Sequence, residues 1–88
     1  MMQTAEQVRT ELRNFIEETF LYMHPDVVLA DGEELLTRGL VDSLGFVELV
    51  EEVQARYGIE VTDVEITEQN FVSIDAIVAY VERKRGGS

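Results

Sequence analysis

Apolar residues recur along the first part of the chain at Val8, Leu12, Phe15 and Ile16, with Thr19 continuing the stripe. This spacing places them on one face of a helix. Thr4 followed by Gln7 supplies a capping box at its start. The stripe ends near Tyr22, where "HPD" (24–26) breaks the pattern and the proline forces an extended residue before it, so a first helix of roughly 4–22 is predicted. Residues 23–41 keep no period, mixing Val27, Val28, Leu29, Leu35, Leu36 and Leu40 with turn signals at Asp31-Gly32 and Gly39. A connection this long in a small domain is expected to be functional or to be held down by its own apolar side chains.

A second helix is predicted from Asp42 to Tyr57, with Asp42 accepting hydrogen bonds from first-turn amides and Gly58 making the C-terminal turn. At about 100° per residue, Phe46, Leu49, Val50, Val53 and Tyr57 share one face, which must be the core side. The opposite face holds Leu44, Val47, Glu48, Glu51, Glu52 and Ala55, and Ser43 sits at the edge between the two. The acidic stretch "TDVEITEQNF" suits only a turn or two of helix. Ser73 then caps a last helix carrying Ile74, Ile77, Val78 and Val81 in register. Arg83, Lys84 and Arg85 lie at its C-terminal end, where the helix dipole favours cations. The expected fold is all-α: a small four-helix bundle of three main helices and one short one, with a long loop between the first two. It forms a single domain over 1–88, with its core at about 4–85 and a flexible "GGS" tail at 86–88.

With 88 residues, the chain has room for one modest core and hardly for a deep catalytic cleft. It has no cysteine, so neither disulfides nor thiolate metal sites are open to it, and a reducing cytoplasm suits it. No apolar run approaches the roughly 18 residues of a membrane span, and the start lacks a signal-like pattern. A soluble protein with no membrane partner is expected. Seven basic against eighteen acidic side chains leave a net charge of −11. Such a surface repels nucleic acid and anionic lipid and attracts proteins with basic patches.

Several motifs carry no chemistry of their own. "HPD" also occurs in J domains, but there beside a basic helix, whereas "TAEQVRTELRNFIEETF" is acidic overall. The tripeptide reads as a helix stop. His24 is the only histidine, too little for a multi-histidine metal site. "DGEELLTRGLVD" does not meet the ligand spacing of a calcium loop, so the acidic clusters read as solvated surface and no metal site or catalytic residue is expected. Ser43 has two readings. It can be a residue of an ordinary helix start. It can also be a point of covalent modification, because a helix N-terminus directs free amides and partial positive charge outward, where a phosphodiester would sit. A catalytic serine needs a base within reach, and no neighbour in sequence supplies one. Leu44 and Val47 beside Glu48, Glu51 and Glu52 give an apolar centre in an acidic rim, the composition of a transient docking surface.

The ordered series "DSL" (42–44) opening a helix, "VELVEEVQARYGIEV" completing it and turning out, and "NFVSIDAIVAYV" closing the domain resembles the acyl carrier proteins and the related peptidyl and aminoacyl carriers. The resemblance implies that Ser43 receives a 4′-phosphopantetheine arm from coenzyme A, added by a phosphopantetheinyl transferase, and that the arm's thiol carries cargo as a thioester. It also implies that Asp42, Leu44, Val47, Glu48 and Glu51 meet partners. These would be the transferase, an acyl- or aminoacyl-loading ligase, and downstream enzymes with basic docking patches in a fatty-acid, polyketide or other specialised pathway. The carrier itself would be a monomer without catalytic activity. Fatty-acid carriers usually have an acidic residue just after "DSL", a methionine near the middle of the recognition helix and glutamates toward its end; this chain has Gly45, Glu51 and Gln54-Ala55-Arg56. Those departures look more like free-standing carriers of specialised pathways, aminoacyl carriers included. Phe46 is expected to face inward, either as ordinary core or as bulk that shortens the space open to an acyl chain. The other class of function is an unmodified acidic helical interaction domain. The intact Asp42-Ser43-Leu44 favours the carrier.

Overall fold

The computed structural model describes residues 4–22, 26–36 and 39–86. Four α-helices follow one another: α1 (Ala5–Phe20), α2 (Ser43–Tyr57), α3 (Glu68–Phe71) and α4 (Ile74–Gly86), with one 3₁₀ turn at Asp63–Glu65 before α3. No strand occurs among the described residues. The all-α, four-helix expectation holds, with three long helices and one short one.

Helix α1 starts where the capping box places it. The Thr4 hydroxyl accepts from the Gln7 amide at 3.2 Å and the Thr4 amide donates to Gln7 Oε1 at 2.8 Å, satisfying two end donors reciprocally. Val8, Leu12 and Ile16 are buried, while Phe15 and Phe20 pack partly buried against the same core. The proposed stop lies outside the described residues at His24 and Pro25, but the helix already ends at Phe20, with Leu21 as its cap. Helix α4 begins as expected, the Ser73 hydroxyl accepting from the Ala76 amide at 3.2 Å. Its core side holds Ile74, Ile77, Val78 and Val81, together with Tyr80, which the periodicity reading left out. The helix runs on through Gly86; Gly87 and Ser88, in the expected tail, lie outside the described residues.

The described part of the long connection is held from both sides. Leu29, Leu35 and Val41 are buried and anchor the loop as expected, whereas Val28 is 87% exposed. The Leu35 amide donates to Val72 O at 2.9 Å, and the Leu35 carbonyl accepts from both Leu40 and Val41, at 3.1 and 3.2 Å. Gly39, at φ 73°, makes the left-handed turn between these contacts, a conformation open to glycine without a Cβ penalty. Arg13 binds the Leu29 carbonyl and Asp31. Arg9 reaches both Asp31 and Asp75, and the Asp75 amide donates to Asp31 O at 3.0 Å. Two arginines on α1 thus fasten the loop to the start of α4.

Behind α2, Glu65 ties the 3₁₀ turn to α4. Its Oε1 accepts from the Thr62 amide, the Thr62 hydroxyl, the Tyr80 hydroxyl and Lys84 Nζ, at 3.2, 3.1, 3.0 and 2.9 Å. Lys84 and the Thr62 amide hold the Glu65 carboxyl down at about pKa 2. Burial, then the bond to Glu65, pushes the Tyr80 phenol up to about 12. At the end of α3, Arg83 donates to Asn70 Oδ1 at 2.9 Å, and Asn70 Nδ2 donates to Glu65 O at 2.9 Å.

Candidate functional site

The first turn of α2 is built by three neighbouring residues. Asp42 is extended, and its carboxylate accepts from the Gly45 amide at 2.7 Å while its carbonyl accepts from Phe46 at 2.8 Å. Those bonds use the amides of Gly45 and Phe46, so the amides of Ser43 and Leu44 have no partner among the described residues. They point away from the helix body with its positive end. Ser43 is the first helical residue and is exposed. Its hydroxyl makes no hydrogen bond among the described residues, so Asp42 alone provides the side-chain cap. A serine freed from capping, beside two open amides, is a donor set that fits a phosphodiester.

Gly45 stands out in the sequence only as a missing acidic residue, and its steric role is not foreseen there. It is buried in the first turn of a helix, a place where glycine is otherwise unfavourable. A Cβ at this position would lie 2.7 Å from Phe20 Cε1, 3.1 Å from Asp42 Oδ1 and 3.2 Å from Val41 Cγ1. The end of α1 therefore abuts the start of α2 across a glycine. A glycine at the disfavoured position, with Phe20 closing the preceding helix, was the available signal.

The two faces of α2 separate as the wheel predicts. Leu49, Val50, Val53 and Tyr57 are buried and Phe46 is partly so, while Leu44 is 71% and Val47 52% exposed. Glu48 and Glu51 are exposed beside them without an ion pair among the described residues. Glu52 differs, because Arg56 donates to it through Nε at 2.7 Å and through a second guanidinium nitrogen. That bond, foremost, raises the Arg56 pKa further. The outward surface thus presents two apolar side chains and two uncompensated carboxylates close to Ser43. Asp42, Ser43, Leu44, Val47, Glu48 and Glu51 come together on the one end and side of α2, as their spacing requires.

Among the described residues, the basic side chains offer no counterweight. Arg9, Arg13, Arg56 and Lys84 are engaged with carboxylates. Arg83 lies over the Tyr80 ring and Arg85 over the Tyr57 ring, each 5.8 Å from the centroid. Tyr57 in turn donates to Glu11 at 3.0 Å, and burial pushes its phenol well above the usual range. No helix among the described residues is long and apolar enough to cross a membrane.

The family model described as "Phosphopantetheine attachment site" matches residues 26–81, more than half of the chain. The chain belongs to the phosphopantetheine-attachment carrier proteins. It is 32% identical over 74 residues to the D-alanyl carrier protein of Streptococcus suis strain 05ZYH33, covering 84% of this chain and 90% of that protein. The protein of the same name from strain 98HAH33 is similar to the same degree. The prosthetic group of this carrier is 4′-phosphopantetheine, and the exposed, uncommitted hydroxyl at the head of α2 lies within the matched stretch.

Proposed function

We propose that this carrier bears its 4′-phosphopantetheine on Ser43 and holds there an aminoacyl or other small acyl intermediate for a biosynthetic pathway. Ser43 supplies the hydroxyl oxygen of the phosphodiester, with its own amide and that of Leu44 facing the added charge. When bound, the arm supplies a thiol that holds cargo as a thioester. The D-alanyl carriers to which the chain is similar support an aminoacyl cargo, as does the absence of the acidic residue that fatty-acid carriers usually have at position 45. Leu44 and Val47 form the apolar centre of the docking surface, and Glu48 and Glu51 attract the basic patches of a phosphopantetheinyl transferase, a loading ligase and downstream enzymes. Asp42 holds the turn in shape. The carrier acts as a single monomeric domain in the cytoplasm and performs no catalysis itself.

One observation carries this reading: the Ser43 hydroxyl is exposed and, among the described residues, unbonded at the helix start, while the neighbouring aspartate does the capping. The test is intact mass before and after incubation with coenzyme A and a broad-specificity transferase. A gain of one arm on the wild type and none on Ser43→Ala is expected. A folded wild type that gains nothing, while a known carrier alongside is modified, would return the chain to the class of unmodified acidic interaction domains.

A further inference from the structure

Aromatic rings flank the turn that carries Ser43 on both sides. From α1, Phe20 lies so close that a Cβ on Gly45 would stand 2.7 Å from its Cε1, and its ring meets Phe15 edge-on with centroids 6.0 Å apart. Toward α3, Phe46 lies one helical turn beyond Ser43, the spacing at which side chains are neighbours on a helix surface. Its ring meets Phe71 edge-on at 5.7 Å, and Phe71 meets Tyr80 at 5.3 Å. Phe71 and Tyr80 are buried, whereas Phe46 is only partly buried. A column of three rings therefore runs from the surface beside Ser43 through α3 to the core side of α4.

An apolar chain anchored at Ser43 would bury its methylenes wherever the bundle near the anchor yields, each one raising the folding constant by about fourfold. Edge-to-face aromatic packing resists such entry, because the incoming chain must displace ring contacts without leaving voids. We propose that the Phe20–Gly45 contact and the Phe46–Phe71–Tyr80 column close the bundle beside Ser43, so that cargo stays outside the core. Phe46 is then the residue that restricts this carrier to small or polar acyl groups. The inference rests on attachment at Ser43, as proposed above.

The experiment loads wild type, Phe46→Ala and Phe46→Leu with acetyl, hexanoyl and octanoyl arms, using the corresponding coenzyme A thioesters and a broad-specificity transferase, and records Tm for each loaded form. The wild-type Tm should not depend on chain length. Unloaded Phe46→Ala should melt lower, but its Tm should climb by more than about 5 °C from acetyl to octanoyl as a few methylenes fill the space left by the ring. Phe46→Leu should fall between them and serves if the alanine variant does not fold. A wild-type Tm that rises with chain length would overturn the proposal, as would flat profiles in the variants. Cleavage of the thioester by hydroxylamine gives a second readout: equal rates for acetyl and octanoyl wild type are expected, and a protected octanoyl group would overturn the proposal. If no thioester adds mass to wild type while a known carrier is modified, the attachment reading fails first and takes this one with it.

Discussion

Replacing Gly45 by alanine tests whether the contact between α1 and α2 sets the shape of the site. Helix propensity alone predicts a gain, because alanine in a helix is favoured over glycine by roughly 0.5–1 kcal/mol. The structure predicts a loss. The new methyl would stand 2.7 Å from Phe20 Cε1, about 1 Å inside the optimal separation of carbon atoms. Phe20 cannot retreat freely, since its ring is packed against Phe15. Two further neighbours, Asp42 Oδ1 at 3.1 Å and Val41 Cγ1 at 3.2 Å, close the other sides. Overpacking of this kind costs about 1–3 kcal/mol. The propensity gain offsets part of it, leaving a net destabilisation of about 1 kcal/mol and a Tm lower by roughly 5 °C for a domain of this size. Thermal and urea unfolding of wild type and Gly45→Ala measure it, and a cycle with Phe20→Ala locates the cause. Without the Phe20 ring, the Gly45→Ala cost should largely disappear, because contacting residues are not additive. A higher Tm for Gly45→Ala, or the same cost in both backgrounds, would refute the steric account.

The remaining predictions concern charge and attachment. The Glu65 carboxyl is held down at about pKa 2 in the fold, from an ordinary value of 4.5; its contribution is therefore present above about pH 4.5 and fades as pH falls toward 2. The Tm advantage of wild type over Glu65→Gln should shrink across that window, and a difference independent of pH would exclude the carboxylate as its source. With a net charge of −11, crowded carboxylates repel, so added salt or divalent cations should raise the wild-type Tm; an unchanged melting curve would count against self-repulsion. Arg13→Gln should destabilise the fold by about 1 kcal/mol by freeing the loop from α1, with faster hydrogen exchange at Leu35, and an unchanged exchange rate would mean that the arginine does not hold the loop. Glu51→Lys should slow phosphopantetheine transfer to Ser43 and weaken its salt dependence without altering Tm, because exposed charges act mainly on encounter rates; an unaltered transfer rate would remove Glu51 from the docking surface.

Helix boundaries and faces were legible in the chain wherever a local rule was strong. The capping box at Thr4, Asp42 and Gly58 bracketing α2, and Ser73 opening α4 stand where local chemistry places them. The gathering of Ser43, Leu44, Val47, Glu48 and Glu51 follows from helical spacing alone, so it too was legible. What escaped depends on tertiary neighbours. Gly45 reads in sequence as a missing acidic residue, and only the approach of Phe20 explains it. Tyr80 falls on the core side of α4, but its tolerance of burial depends on a carboxylate from another segment, Glu65. Arg9 and Arg13 look like surface charges on an amphipathic helix until the loop returns Asp31 to them. Val28 shows the converse: beside buried Leu29 it looks like an anchor, yet it points to solvent.

The doubled hydrogen bond at the Leu35 carbonyl has a mechanical consequence. By holding the amides of Leu40 and Val41 together, it fixes the chain immediately before Asp42, while Phe20 bears on the turn from the other side. The head of α2 is thus clamped fore and aft, like the fixed pivot of a crane. On the proposed attachment, a group hung from Ser43 would sweep a radius set by its own length, with little slack from the mount. The catalytic centres exchanging its load would then have to bring their openings within that radius, and distance would become a selection rule for which enzymes the carrier can serve.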